Sequence, residues 1–341
     1  MQLSDGWMIF VILAFTIYIV LDGYDLGIGV LTLLDRDDRR RRDMLELVAW
    51  TWDGNESWLA LIALALWAGV PLVAGIALPA LYIALIPMLW ALIARGVSLE
   101  LIDEQEGWHP LWGKVFGIGS LVAGFCQGAA FGGLVAGLDV HGGSFAGGPF
   151  AFLHHGYAVL TGLTAVALYV LAGAAWVFLK SGGETQLRAA RVGRIAVVVL
   201  TAGTAASWLL APVAGPVSLD PGAAARLPIW IVGAVVLAAG LVFALRSFSS
   251  DPRGRRSDRA PVFSTLAVYA GGLLLAGGLL YPRLVPPDIT VHEAASPHAT
   301  LLFLTIATGV LIPIILTYQA YAYWVFRGKV DVDVEQEATT A

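Results

Sequence analysis

Long apolar runs alternate with short polar or Gly/Pro-rich breaks along nearly the whole chain. A membrane helix needs roughly 20 mostly apolar residues. By that measure nine spans are predicted, near 7–34, 47–69, 76–101, 112–138, 152–179, 193–214, 228–246, 262–282 and 300–326. The connectors are Asp35 to Asp43, Val70–Pro71, Asp103 to Pro110, Gly142 to Pro149, Ser181 to Arg191, Gly215 to Pro228, Ser247 to Pro261 and Pro282 to Pro297. None is long enough to fold as a separate domain. The N-terminus has no basic region and no small-residue cleavage site, so its apolar run reads as a first membrane helix rather than a removable leader.

Composition supports an integral membrane protein. Hydrophobic residues make up 58% of the 341 positions, charged ones 13%, and the mean hydropathy is +0.78. A water-soluble domain carries roughly 25% charged residues. The net charge of −5 says little about partners, because the charges gather in short loops. A single cysteine, Cys126, excludes an intrachain disulfide and a thiol-redox pair.

The basic residues predict an orientation. Seventeen fall on one side, in connectors one, three, five and seven and in the C-terminal tail. Only Arg226 and Arg283 fall on the other, and Arg95 lies inside the third span. Lys and Arg collect in cytoplasmic loops. The expectation is an external N-terminus and a cytoplasmic C-terminus, which nine spans satisfy.

Six ionisable residues interrupt apolar spans: Asp22 and Asp25 in the first, Asp53 and Glu56 in the second, Arg95 and Glu100 in the third. Charges within a bilayer are costly and usually face a bundle interior, a partner charge or a water-filled path. At 1.5 Å per residue, Asp22 and Asp25 lie roughly 22–27 Å along a helix entering from outside. Asp53 and Glu56 fall in about the first three turns of a helix starting inside. All six are therefore expected at one level near the cytoplasmic face, with Arg95 as counter-charge. Each carboxylate pair is spaced i, i+3 and shares a helix face. A salt-bridge network that only ties helices together is the plain reading. Against it stand up to five carboxylates for one arginine, an excess that favours protonated acids and a proton-conducting path.

The small residues around these acids (Gly23, Gly27, Gly29, Gly54) and the run from Gly124 to Gly133 suggest close helix packing or local unwinding. Gln127 is a buried polar group in need of a partner. Trp52 and Trp58 flank the second acidic pair, where they would pack against a partner chain or a quinone ring or, more commonly, face lipid as interfacial belt residues. The six histidines, His109, His141, His154, His155, His292 and His298, all fall in connectors or at helix edges. A haem inside a bundle needs an axial ligand facing its core, so haem ligation by this chain is not expected. Protease, phosphate-loop and nucleophile–base patterns are absent, and the chain does not read as a self-sufficient enzyme.

Two motifs, Asp22-Gly23-Tyr24-Asp25-Leu26-Gly27 and Trp52-Asp53-Gly54-Asn55-Glu56-Ser57-Trp58, taken together resemble the subunit II family of cytochrome bd oxidases. Arg95 followed by Glu100 and the closing stretch 311–324 also fit. The resemblance implies an all-α integral membrane fold of nine transmembrane helices. Spans 1–4 (about 7–138) would form one four-helix bundle, spans 5–8 (about 152–282) a second, and span 9 (about 300–326) a peripheral helix. It implies a heterodimer with subunit I, which would hold two b-type haems and one d-type haem, in a bacterial cytoplasmic membrane. A small single-helix accessory subunit and bound quinone or lipid are compatible with it; nucleic acid is not expected. The complex would oxidise quinol and reduce oxygen to water with cytoplasmic protons. Asp53 would lie on the proton path and Asp25 would be a further member, with Asp22 and Glu56 beside them. A proton-coupled secondary transporter would also carry buried acids and Gly-rich helices, but around a midplane site between inverted repeats. A structural membrane scaffold is the third reading.

Overall fold

The computed structural model describes residues 3–104, 110–214, 223–248, 258–286 and 289–328. Eleven helices follow in order: α1 (Leu3–Leu34), α2 (Asp38–Glu46), α3 (Trp52–Gly69), α4 (Pro71–Glu104), α5 (Pro110–Ala136), α6 (Tyr157–Lys180), α7 (Gly183–Ala214), α8 (Ala223–Ser247), α9 (Ala260–Leu280), α10 (Val291–Ala294) and α11 (His298–Val325). Two short hairpins interrupt them, β1 (Val140–His141) with β2 (Ser144–Phe145), and β3 (Arg283–Val285) with β4 (Ile289–Thr290). The protein is thus all-helical apart from these connectors.

Eight helices among the described residues are long and apolar enough to cross a membrane: α1, α4 to α9 and α11. The predicted second span, 47–69, is shorter than expected. Residues 47–51 form turns, and the helix begins at Trp52. Its 18 residues reach about 27 Å, near the low end for a crossing, and its first turns carry Asp53 and Glu56. Conversely, α7 begins ten residues before the predicted 193, because its first turns form a polar extension rather than a loop. Arg188 pairs there with Glu184 at 3.0 Å, one turn away. The same surface reaches the first connector, where Arg40 binds Asp35 at 2.8 Å and Glu184 at 3.7 Å. That connector is itself folded as α2, whose N-terminus is capped by the Asp37 side chain.

α1 is the pivot of the packing. It touches α3, α5 and α6, while α4 packs on α5, α5 on α6, α6 on α7, and α8 on α9. The Asp-Gly stretch does not unwind α1, which runs unbroken. Its glycines serve close approach instead. A side chain at Gly27 would overlap the backbone of Tyr169 and Gly173, and one at Gly173 would overlap Gly27. The Gly124–Gly133 run does the same between α5 and α6, where Gly128 faces Thr161, Gly162 and Ala165. α11 lies peripherally, with only 6% of its apolar window buried, and is anchored at its start by Ser296, whose N–H donates to the Gly69 carbonyl at 2.9 Å.

Candidate functional site

The Asp-Gly-Tyr-Asp turn of α1 faces the place where α3, α4 and α11 meet. Asp22, Asp25, Asn55 and Arg95 are fully buried there. The Arg95 guanidinium on α4 donates through Nη2 to Asp22 Oδ1 and lies 3.4 Å from Glu56 Oε2 on α3. It also stands over the Phe116 ring of α5, 5.8 Å from its centre. Burying an ionised group without a partner is prohibitive, so this triad accounts for how one arginine and two acids persist inside apolar helices.

The predicted cluster of six is smaller in the structure. Asp53 and Glu100 are exposed, and helix rotation explains both. Asn55 and Trp58 turn inward on α3, and Asp53, two residues before Asn55, sits about 200° around the helix from it. Glu56 lies between these faces, with its side chain 24% exposed. Glu100 follows Arg95 by five residues, about 140° away around α4.

Asn55 was not among the expected site residues, yet it is the hub. Its Nδ2 donates to Asp25 Oδ2 at 2.8 Å and to the Tyr24 hydroxyl at 2.9 Å. Its Oδ1 accepts from Gln319 Nε2 at 2.9 Å and from the Tyr323 hydroxyl at 3.0 Å, both on α11. Gln319 Oε1 in turn accepts from Trp58 Nε1 at 2.7 Å. Trp58 is fully buried and is therefore no interfacial anchor, whereas Trp52 is half-buried and packs near Gly96 of α4. Tyr24 stacks on Trp176 at 4.6 Å, and Tyr323 meets both rings edge-on, at 6.3 and 6.0 Å. The signal for this hub lay in the two motifs themselves: an amide inside an apolar helix needs four partners, and Gln319 is the polar interruption of α11 that supplies one.

A second polar link runs deeper along α1. Gln127 Nε2 donates to the Tyr18 hydroxyl at 2.7 Å, and its Oε1 accepts from Tyr169 at 2.6 Å, so the buried glutamine has its partners. Among the described residues, Asp22 Oδ2, Asp25 Oδ1, Arg95 Nε and Nη1, Ser120 Oγ and the Tyr269 hydroxyl are buried without a hydrogen-bond partner. The described histidines lie away from this region. His141 is in the first hairpin, His154 precedes α6, His292 bonds Ser4 at 3.0 Å, and His298 opens α11. His109 and the His155 side chain fall outside the described residues. No group of three or more potential metal ligands occurs among the described residues.

This arrangement unites the two acidic motifs and the closing helix stretch at one point. The model of the family described as cytochrome bd terminal oxidase subunit II matches residues 3–326. The chain belongs to that family. As a subunit II chain it is 30% identical to cytochrome bd-I ubiquinol oxidase subunit 2 of Escherichia coli K12, over 92% of its own length and 91% of that protein's. It is 28% identical to cytochrome bd ubiquinol oxidase subunit 2 of Bacillus subtilis, over 96% and 97%. In fold it is similar to a chain of the bd oxidase from Geobacillus thermodenitrificans, with a TM-score of 0.75 and 15% identity over 96% of this chain and all of that one. Membership of the subunit II family sets aside the transporter and scaffold readings.

Proposed function

We propose that this subunit II chain works as the haem-free half of a quinol oxidase that reduces oxygen to water, and that it delivers cytoplasmic protons through Asp25 and Asp53. The observation that carries the proton reading is the buried acid-rich site on α1. Asp25 keeps one oxygen, Oδ1, without a partner among the described residues, while Asp22 and Glu56 already share the only arginine of the site. A carboxyl so placed can take up a proton without breaking an ion pair. Asp53 supports the path differently. An acid on the outer face of a helix this close to lipid is costly unless another chain covers it, and subunit I is the partner that would.

In this reading nine helices cross the membrane, with α3 as the short second span. They form two four-helix bundles, about 7–138 and 152–282, and a ninth helix at 300–326. The N-terminus is outside and the C-terminus cytoplasmic, in a bacterial cytoplasmic membrane, as the asymmetry of basic residues supports. Subunit I holds two b-type haems and one d-type haem, which supply the oxygen chemistry. The placement of the described histidines in hairpins and at helix ends fits haem carriage by that partner. Quinol is the substrate of the complex, and a small accessory helix, quinone or lipid can join it.

The test uses the solubilised complex and its proteoliposomes. A second chain and a d-type absorption band should copurify. Asp25→Asn and Asp53→Asn should each lower quinol-driven oxygen consumption on the order of a hundredfold and lower charge translocation with it, the haem spectrum being retained. Unchanged turnover and translocation in both variants would end the proton reading.

A further inference from the structure

We propose that Gln319 on α11, held by Trp58, is a positioning residue that fixes which oxygen of Asp25 carries the proton; this rests on the reading that Asp25 exchanges protons. An indole N–H is a donor only. Trp58 Nε1 lies 2.7 Å from Gln319, so the atom facing it is the amide oxygen. The Gln319 nitrogen must then point to Asn55, and the Asn55 atom that it meets at 2.9 Å must be an oxygen. The Tyr323 hydroxyl donates to the same oxygen. The Asn55 nitrogen is left facing Asp25 Oδ2 at 2.8 Å and the Tyr24 hydroxyl at 2.9 Å, its two short contacts, with the Leu21 carbonyl farther off at 3.4 Å. The chain Trp58, Gln319, Asn55, Asp25 therefore has one polarity, set by the group that cannot reverse.

The consequence falls on Asp25. A proton on Oδ2 would be driven against the Asn55 N–H, so Oδ2 is held as an acceptor in both protonation states. The proton resides on Oδ1, the oxygen without a partner among the described residues. Had Asn55 been reversed, its oxygen would face Asp25, and the proton would be trapped between the two. The lock thus keeps the exchangeable proton on the carboxyl oxygen that no hydrogen bond among the described residues engages. It also gives a physical reason for three residues that proton chemistry alone leaves unexplained: the tryptophan closing the α3 motif, the amide within it, and the glutamine of a helix otherwise almost entirely exposed.

Infrared difference spectra of the whole oxidase complex test this. The carbonyl stretch of protonated Asp25 is identified as the band that Asp25→Asn removes. In the unmodified protein Oδ2 is the carbonyl oxygen and accepts from Asn55, which lowers its frequency. Gln319→Leu and Trp58→Phe free Asn55 to turn, and the band should move to higher wavenumber in both. Tyr323→Phe leaves the Trp58–Gln319 lock in place and should leave the band where it is. Gln319→Glu, of the same shape, should restore the original position while its own carboxyl is protonated and able to donate. A band unmoved by both Gln319→Leu and Trp58→Phe would overturn the positioning role and leave the proton reading standing. Should Asp25→Asn remove no band and leave turnover unchanged, both would fall together.

Discussion

The region where α1 and α4 meet α3 and the region around α7, α8 and α9 are built largely from comparably apolar helices and do opposite things with them. The first buries an arginine, two aspartates and an asparagine at no exposure at all, with a glutamate at their edge. The second has no Asp, Glu, Lys or Arg between Ile195 and Ala214, Leu227 and Leu245, or Ala260 and Leu280. Where α7 parts from α8 and α9 there is an open apolar groove of about 410 Å³, lined by residues such as Trp208, Trp230 and Leu237. In the first region polar groups dictate helix rotation, because each must find its partner at depth. In the second, shape is the main constraint: α8 and α9 fit closely, with no room for a side chain at Gly271 against Leu237, while α7 stands off α8 and the fit there is looser. Similar hydropathy therefore says little about how tightly a membrane helix is specified.

The sharpest way to break this contrast is to take away the counter-charge. Arg95→Leu leaves Asp22 and Glu56 without their cation, and removing one partner of a buried pair costs about 3–5 kcal/mol. Thermal unfolding of the solubilised complex should show that loss, or the subunit should fail to assemble. Adding Asp22→Asn to Arg95→Leu removes the more deeply buried of the two stranded charges and should recover most of the stability. If the double variant is no better than the single one, the triad is not the device that makes this region tolerable.

Next in size is the seam between α1 of the first region and α6, on which α7 of the second region packs. Gly27 of α1 meets the backbone of Tyr169 and Gly173 on α6 with no room for a side chain. Gly27→Val should cost roughly 1–3 kcal/mol by overpacking, read as a lower midpoint of thermal unfolding with the haem spectrum intact before the transition. An unchanged midpoint would mean that the contact between α1 and α6 is softer than its geometry.

Helix existence was legible in the sequence, because the apolar runs are long and the breaks are polar. Helix ends were less so. The start of α7 was hidden in charged residues that look like a loop until Glu184, Arg188, Asp35 and Arg40 are seen as one network. The start of α3 was blurred by apolar residues that are turns. The acidic motifs lie where α1 and α3 meet, and the depth argument matched Asp22 with Arg95, which are paired. Spacing cannot give the rotation of a helix about its axis, so Asp53 and Glu100 were drawn into the cluster. The role of Asn55 was missed for the related reason that its partners, Gln319 and Tyr323, lie more than 260 residues along the chain. Only tertiary packing brings the first motif, the second and the closing helix together.

The smallest expected effect belongs to the loosely packed region. Ala238 lines the groove between α7, α8 and α9 and is exposed. Ala238→Leu adds three carbons, a change that would be felt at once in a tightly packed interior. Here the added atoms enter space open to lipid, so no neighbour has to move and no buried polar group loses a partner. The change in stability should stay within about ±0.5 kcal/mol, with oxygen consumption unaltered. Measured beside Gly27→Val in the same complex, it sets the two kinds of packing on one scale. A loss as large as that of Gly27→Val would mean that the groove is closed in the assembled enzyme, and the contrast between the two regions would then belong to the isolated subunit rather than to the oxidase.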